Sequence, residues 1–118
     1  MSTAAKSIYY FSFYLYLTGV TLIAIPNTFL GVAKLPETNE VWIRVVGVLA
    51  VGIAYYYHRM SAENITAMFK HTVVARLFVF LCFTVFVIAK FVAPVFIIFG
   101  IIDLLSALWT FSALRKSL

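Results

Sequence analysis

The chain has 118 residues, length for one domain, and 64% of them are hydrophobic while 11% are charged. A soluble domain carries about 25% charged residues, so this chain cannot wet its own surface, which excludes a soluble enzyme, a disordered tail and a nucleic-acid module. Its net charge of +5 is the balance of nine basic and four acidic residues, the basic ones scattered among apolar runs in the pattern of membrane flanks.

A bilayer core of about 30 Å calls for roughly 20 apolar residues in a helix. Four segments meet that need, at about 7–25, 41–57, 72–92 and 94–114. Without water at that depth the backbone must satisfy itself, and segments of this length do so as helices. The sequence therefore predicts an all-α polytopic membrane protein, a single four-helix transmembrane domain spanning 1–118. The first segment follows one basic residue, Lys6, is crowded with tyrosines and lacks a small-x-small cleavage site, so it reads as a retained span. Pro26-Asn27 ends or kinks it, although apolar character runs on through Phe29, Leu30 and Val32.

Pro36 to Asn39 is a turn in which Thr38 or Asn39 is suited to cap the second helix, with Glu40 in its first turn. Ser61 to Asn64 separates the second and third helices, with Ser61 as the expected cap. Residues 63–71 read as an interfacial lead-in to the third helix, amphipathic around Ile65, Met68 and Phe69 and suited to anionic headgroups. Pro94 falls just inside the fourth helix, where its missing N–H costs little. Short loops make sequential helices antiparallel.

Orientation follows from charge. Lys6, Arg59, Lys70, Arg115 and Lys116 collect at one end, with Arg76 nearby; Lys34, Arg44 and Lys90 mark the other. The positive-inside rule then gives an N-in, C-in topology in the cell inner (plasma) membrane. All seven tyrosines fall toward the cytoplasmic side, Trp42 anchors the outer face and Trp109 the inner.

An ionisable residue inside a membrane helix is the informative one, because it is costly unless paired or hydrated. Asp103 is the deepest. Gly100, Asp103, Ala107 and Thr110 are spaced by three, four and three, a small polar stripe that must face the interior. The expected partner is Arg44, whose guanidinium can hold a carboxylate bidentately, with Lys90 competing. Asn27 is placed to cap the outer end of the same region. Arg76 is expected to snorkel toward the headgroups. An Arg–Asp pair of this kind reads first as fixing helix register, next as lining a ligand or ion path, and last as catalytic.

No metal, haem or other cofactor is expected. His58 and His71 each stand without a second histidine at i+4, and Cys82 sits alone among phenylalanines, where it reads as inert packing. No serine–histidine–carboxylate set, nucleophile elbow or phosphate loop occurs.

At Arg44-Val45-Val46-Gly47 and Gly100-Ile101-Ile102-Asp103-Leu104-Leu105 the chain resembles the small four-helix bacterial membrane proteins grouped as DoxX-like. The resemblance implies that Arg44 and Asp103 matter to the interior. Small multidrug transporters share the size and helix count but need a carboxylate in the first helix, and none occurs here. The functional expectation is a non-catalytic accessory or scaffold subunit whose partners are the lipid bilayer and a membrane protein or second copy. The alternative is a binding or carrier protein for a small lipophilic or quinone-like ligand.

Overall fold

The computed structural model describes residues 1–116. Five helices and no strands occur among them: α1 (Thr3–Ala24), α2 (Pro26–Val32), α3 (Trp42–Ala62), α4 (Thr66–Ile88) and α5 (Phe96–Lys116). Three of these, α1, α4 and α5, are long and apolar enough to cross a membrane. The 21-residue α3 is as long as α5, but its mean hydropathy is lowered by Arg44 in its first turn and by Tyr55 to Arg59 in its last two.

Each boundary has a local cause. Ser2 caps α1, its Oγ accepting from the Ala5 N–H at 3.1 Å. Ile25 leaves the helical region, with φ −139° and ψ 61°, as a residue before proline is pushed to do. Pro26 then opens α2, so the apolar run beyond the break is a separate short helix. Helices α2, α3 and α4 end alike: Lys34, Asn64 and Lys90 adopt φ of 59°, 54° and 64°. The next N–H along, of Leu35, Ile65 and Phe91, reaches back to the carbonyl of Leu30, Met60 and Phe86. This left-handed stop satisfies carbonyls that the last turn would otherwise leave bare.

Several expected boundaries move: Pro94, expected just inside the fourth helix, lies in the turn before α5, and Glu40, expected in the first turn of the second, precedes α3. The lead-in at 63–71 and the third span are one uninterrupted helix from Thr66. Ser61 lies inside α3, buried, its hydroxyl donating to the His58 carbonyl rather than capping α4. Neither Thr38 nor Asn39 caps α3, whose N-cap is Val41 with no side-chain bond; the Thr38 hydroxyl accepts from Glu40 N–H instead.

Helix α1 is the hub and packs against each of the other four, while α4 and α5 pair with one another and α3 rests chiefly on α1. The result is a flattened slab with principal extents of 46 × 30 × 18 Å. At the end where α1 begins and α5 finishes, Ala4, Ala5 and Ile8 of α1, Phe69 of α4 and Ala113 of α5 form an apolar cluster that Tyr57 and Met60 of α3 cover. Large apolar side chains such as Leu17, Val74, Phe78, Leu81, Ile98 and Leu105 point outward. A water-bathed slab would not tolerate so continuous an apolar exterior.

The α1–α3 contact is set by two glycines. A Cβ on Gly47 would lie 2.7 Å from the Gly19 carbonyl oxygen and 3.0 Å from the Ile23 nitrogen, backbone atoms that cannot rotate away. A Cβ on Gly19 would meet Gly47 O at 2.8 Å and Val51 N at 3.0 Å. Close backbone approach of this kind is how membrane helices gain dispersion energy where the hydrophobic effect is absent. Gly52, on the same helix, faces open space. Gly47→Ala should therefore destabilise the protein by about 1–3 kcal/mol through overpacking. Gly52→Ala should leave stability unchanged or raise it by up to about 1 kcal/mol. Thermal unfolding in mild detergent measures both, and equal effects at the two positions would refute the crossing.

Candidate functional site

The inward face of α5 consists of Gly100, Asp103, Ala107, Thr110 and Ala113. The polar stripe seen in the sequence is thus turned from lipid, as its three–four–three spacing demands on a helix. Gly100 lets Phe80 and Phe83 of α4 lie close, with Phe80 Cδ1 at 3.3 Å from the position of a Cβ. Asp103, two turns before Thr110, is 9% exposed.

The buried cation facing this stripe is Arg76, not Arg44. Arg76 is 2% exposed, which corrects the expectation that it snorkels to the headgroups. Long side chains on a helix fold back toward its N-terminus, and here that direction supplies acceptors. Nε donates to the Thr72 carbonyl at 3.1 Å and Nη2 to Thr72 Oγ1 at 2.9 Å. Nη2 also donates to Thr110 Oγ1 of α5 at 3.0 Å. Thr110 Oγ1 in turn pairs with Ser7 Oγ of α1 at 2.5 Å, where either hydroxyl can donate. The guanidinium carbon lies 5.2 Å from the centre of the Phe11 ring, a cation–π contact that adds a second tie to α1. One side chain therefore joins three helices. Its remaining nitrogen, Nη1, is buried with no hydrogen-bond partner among the described residues.

Arg44, Lys90 and Asn27 are not brought to Asp103. Arg44 Nη1 donates to the Ile23 carbonyl at the end of α1, on the exposed side of the α1–α3 pair. This fits the first turn of α3, where a guanidinium one turn above Gly47 meets the bare carbonyls that α1 leaves at Pro26. Lys90 occupies the exposed left-handed stop of α4. Asn27 pins the connection before α3, its Oδ1 accepting from the Thr38 N–H at 2.9 Å. Among the described residues the ion pair within 4 Å is the exposed Arg59–Glu63, at 3.1 Å. Asp103 acts on Arg76, Tyr14 and Tyr57 through space, and its carboxylate is left without a direct partner among the described residues.

Sequence reasoning missed Arg76, although a signal was present. Thr72 stands four residues before it, on the same helix face, and Thr110 closes the α5 stripe at the matching depth. Two hydroxyls at guanidinium reach can replace a carboxylate. A second missed group is His58, whose Nδ1 meets the Tyr16 hydroxyl at 3.1 Å while its ring lies among Tyr9, Phe13 and Tyr16, with centroids 5.6–6.0 Å away. His71 is exposed. No group of three or more metal-binding side chains occurs among the described residues.

Thr110→Val keeps the shape of the side chain but removes the hydroxyl that Ser7 and Arg76 share. It should cost about 1–3 kcal/mol, the penalty for leaving buried polar partners unsatisfied. Thr21→Val removes a hydroxyl bonded within its own helix to Leu17 O and should change stability by less than about 0.5 kcal/mol. Unfolding midpoints of the two variants in the same detergent decide the matter, and indistinguishable values would remove the three-helix tie. Comparison with family models, with curated proteins and with solved structures finds no match for this chain.

Proposed function

We propose that the chain is a small integral protein of the inner membrane that crosses it four times, with both termini and the α3–α4 turn in the cytoplasm, and that it serves as a non-catalytic accessory or scaffold subunit. Support for α3 as the fourth span comes from the placement of its polar groups. Arg44 and the Tyr55 to Arg59 run lie at its two ends, leaving an apolar middle from Val45 to Ala54. The charge asymmetry between the ends of the slab supports the orientation.

The observation that carries the scaffold reading is the use made of the interior polar atoms. Ser7, Thr72, Arg76 and Thr110 are spent on one another, holding α1, α4 and α5 in register. Kinship with the DoxX-like proteins belongs to the same proposal. In this structure its two motifs correspond to the Arg44–Gly47 clasp on α1 and to the buried Gly100–Asp103 face. A second reading, a binding protein for a small lipophilic ligand, is favoured by a different observation. Among the described residues Arg76 Nη1 is the buried side-chain atom without a hydrogen-bond partner, and Asp103 makes no ion pair within 4 Å.

Two measurements test the proposal. In a Cys82→Ala background, Ser2→Cys and Glu63→Cys should react with a membrane-impermeant maleimide only after permeabilisation, and Glu37→Cys in intact cells. The reverse pattern overturns the orientation. Extraction in mild detergent at native expression should retain a protein partner or second copy in stoichiometric amount, and a lone monomer counts against the subunit role.

A further inference from the structure

At the end where α1 begins and α5 finishes, a cleft of about 460 Å³ opens between the first turn of α1, the start of α4 and the last two turns of α5. Its size is within the usual range for ligand clefts. One wall is tied together by hydrogen bonds. The Ser2 hydroxyl accepts from the Ala5 N–H at 3.1 Å and donates to the Asn64 side-chain oxygen at 3.5 Å. The Asn64 carbonyl accepts from the N–H and the hydroxyl of Thr66 at 2.8 and 3.2 Å. The opposite wall is a single stripe of α5. Trp109, Ser112 and Lys116 are spaced by three and four and so share one face. Over about 10 Å of rise they pass from an aromatic ring through a hydroxyl to an ammonium group.

The cleft holds donors that the fold leaves unspent. The Thr3 and Ser112 hydroxyls and the Lys116 ammonium have no side-chain partner among the described residues. The opening amides of α1 and α4 add to them, since the first N–H groups of a helix lack an intrahelical acceptor. No acidic side chain is among the described residues that line the cleft. Glu63, the acid in the turn before α4, is held by Arg59 at 3.1 Å.

We infer that this cleft seats the phosphate of an anionic phospholipid. Lys116 supplies the counter-charge, and Thr3 and Ser112 donate to the phosphate oxygens. The order of groups along α5 selects a lipid over free phosphate. Trp109 lies two turns before Lys116, toward the apolar middle of the slab, and stacks on Tyr10 of α1 with ring centroids 6.1 Å apart. Such rings sit at the headgroup boundary. Deeper still, Leu105 of α5 and Phe13 and Leu17 of α1 continue the two faces and are exposed, an apolar bed for acyl chains. Free phosphate would use only the upper part of the cleft. The site stands independently of the subunit role proposed above.

The test offers the full chain in mild detergent dioleoyl phosphatidylglycerol, dioleoyl phosphatidylcholine or inorganic phosphate. Binding is read by native mass spectrometry and by the shift of the thermal unfolding midpoint. The wild type should hold phosphatidylglycerol about tenfold more tightly than phosphatidylcholine, since one charge-assisted contact is at stake. Inorganic phosphate should leave the midpoint unmoved. Lys116→Gln should abolish the preference. Lys70→Gln removes the same charge from α4 outside the cleft and should keep it. Ser112→Leu narrows the cleft at constant charge and should weaken phosphatidylglycerol about tenfold. All three positions are exposed, so the core is untouched, and lipid-free midpoints check this.

Equal losses in Lys116→Gln and Lys70→Gln would replace the cleft by diffuse surface charge and overturn the proposal. So would equal retention of the two phospholipids by the wild type, or undiminished binding in Ser112→Leu. Stabilisation by inorganic phosphate as large as that by phosphatidylglycerol would overturn the lipid as its source.

Discussion

One guanidinium buried among hydroxyls, with no carboxylate of the described residues within ion-pair distance, is the constraint on which the packing of this protein depends. Arg76 is satisfied by Thr72 on its own helix, by Thr110 on α5 and by the face of Phe11 on α1. Each of those contacts is directional, so the three helices have one mutual depth at which all can be made at once. Ser7, joined to Thr110, closes the set on α1. In a medium that offers no alternative hydrogen bonds, sliding α5 by a turn would take Thr110 from both Arg76 and Ser7, leaving each with only the bonds of its own helix. Register here comes from a polar lattice, where a soluble bundle would draw it from the fit of its apolar core.

The other half of the slab is built on the opposite principle. Between α1 and α3 the close contact is backbone against backbone, Gly19 over Gly47, with the Arg44 guanidinium clasping the Ile23 carbonyl one turn away. Small residues and dispersion do there what hydroxyls do around Arg76. Helix α1 takes part in both, with Ser7 and Phe11 near its start serving the polar lattice and Gly19 and Ile23 near its end serving the glycine crossing. This division explains why α1 touches every other helix while α3 leans on it nearly alone.

Helix existence was legible because length and hydropathy are local properties. The inward face of α5 was legible because small and polar residues at a helical period have one direction in which they are not penalised. Several boundaries were not. Helices α2, α3 and α4 stop at a left-handed Lys34, Asn64 and Lys90 without any glycine, so the usual punctuation was missing, and the lead-in at 63–71 merged with its span. The partner of Asp103 was misassigned on the premise that opposite charges find each other. That premise fails when two threonines, four residues before and across from an arginine, offer it a cheaper geometry.

The amino-acid order was enough to specify the medium this chain is built for, its helical content and which edge of α5 avoids lipid, since each follows from composition or from a single helix's periodicity. It took the packed helices to establish that Arg76 is a buried cation, that Arg44 clasps α1, and that Asp103 makes no ion pair among the described residues. Those outcomes depend on the relative depth and rotation of helices far apart in the chain, quantities that no one helix encodes.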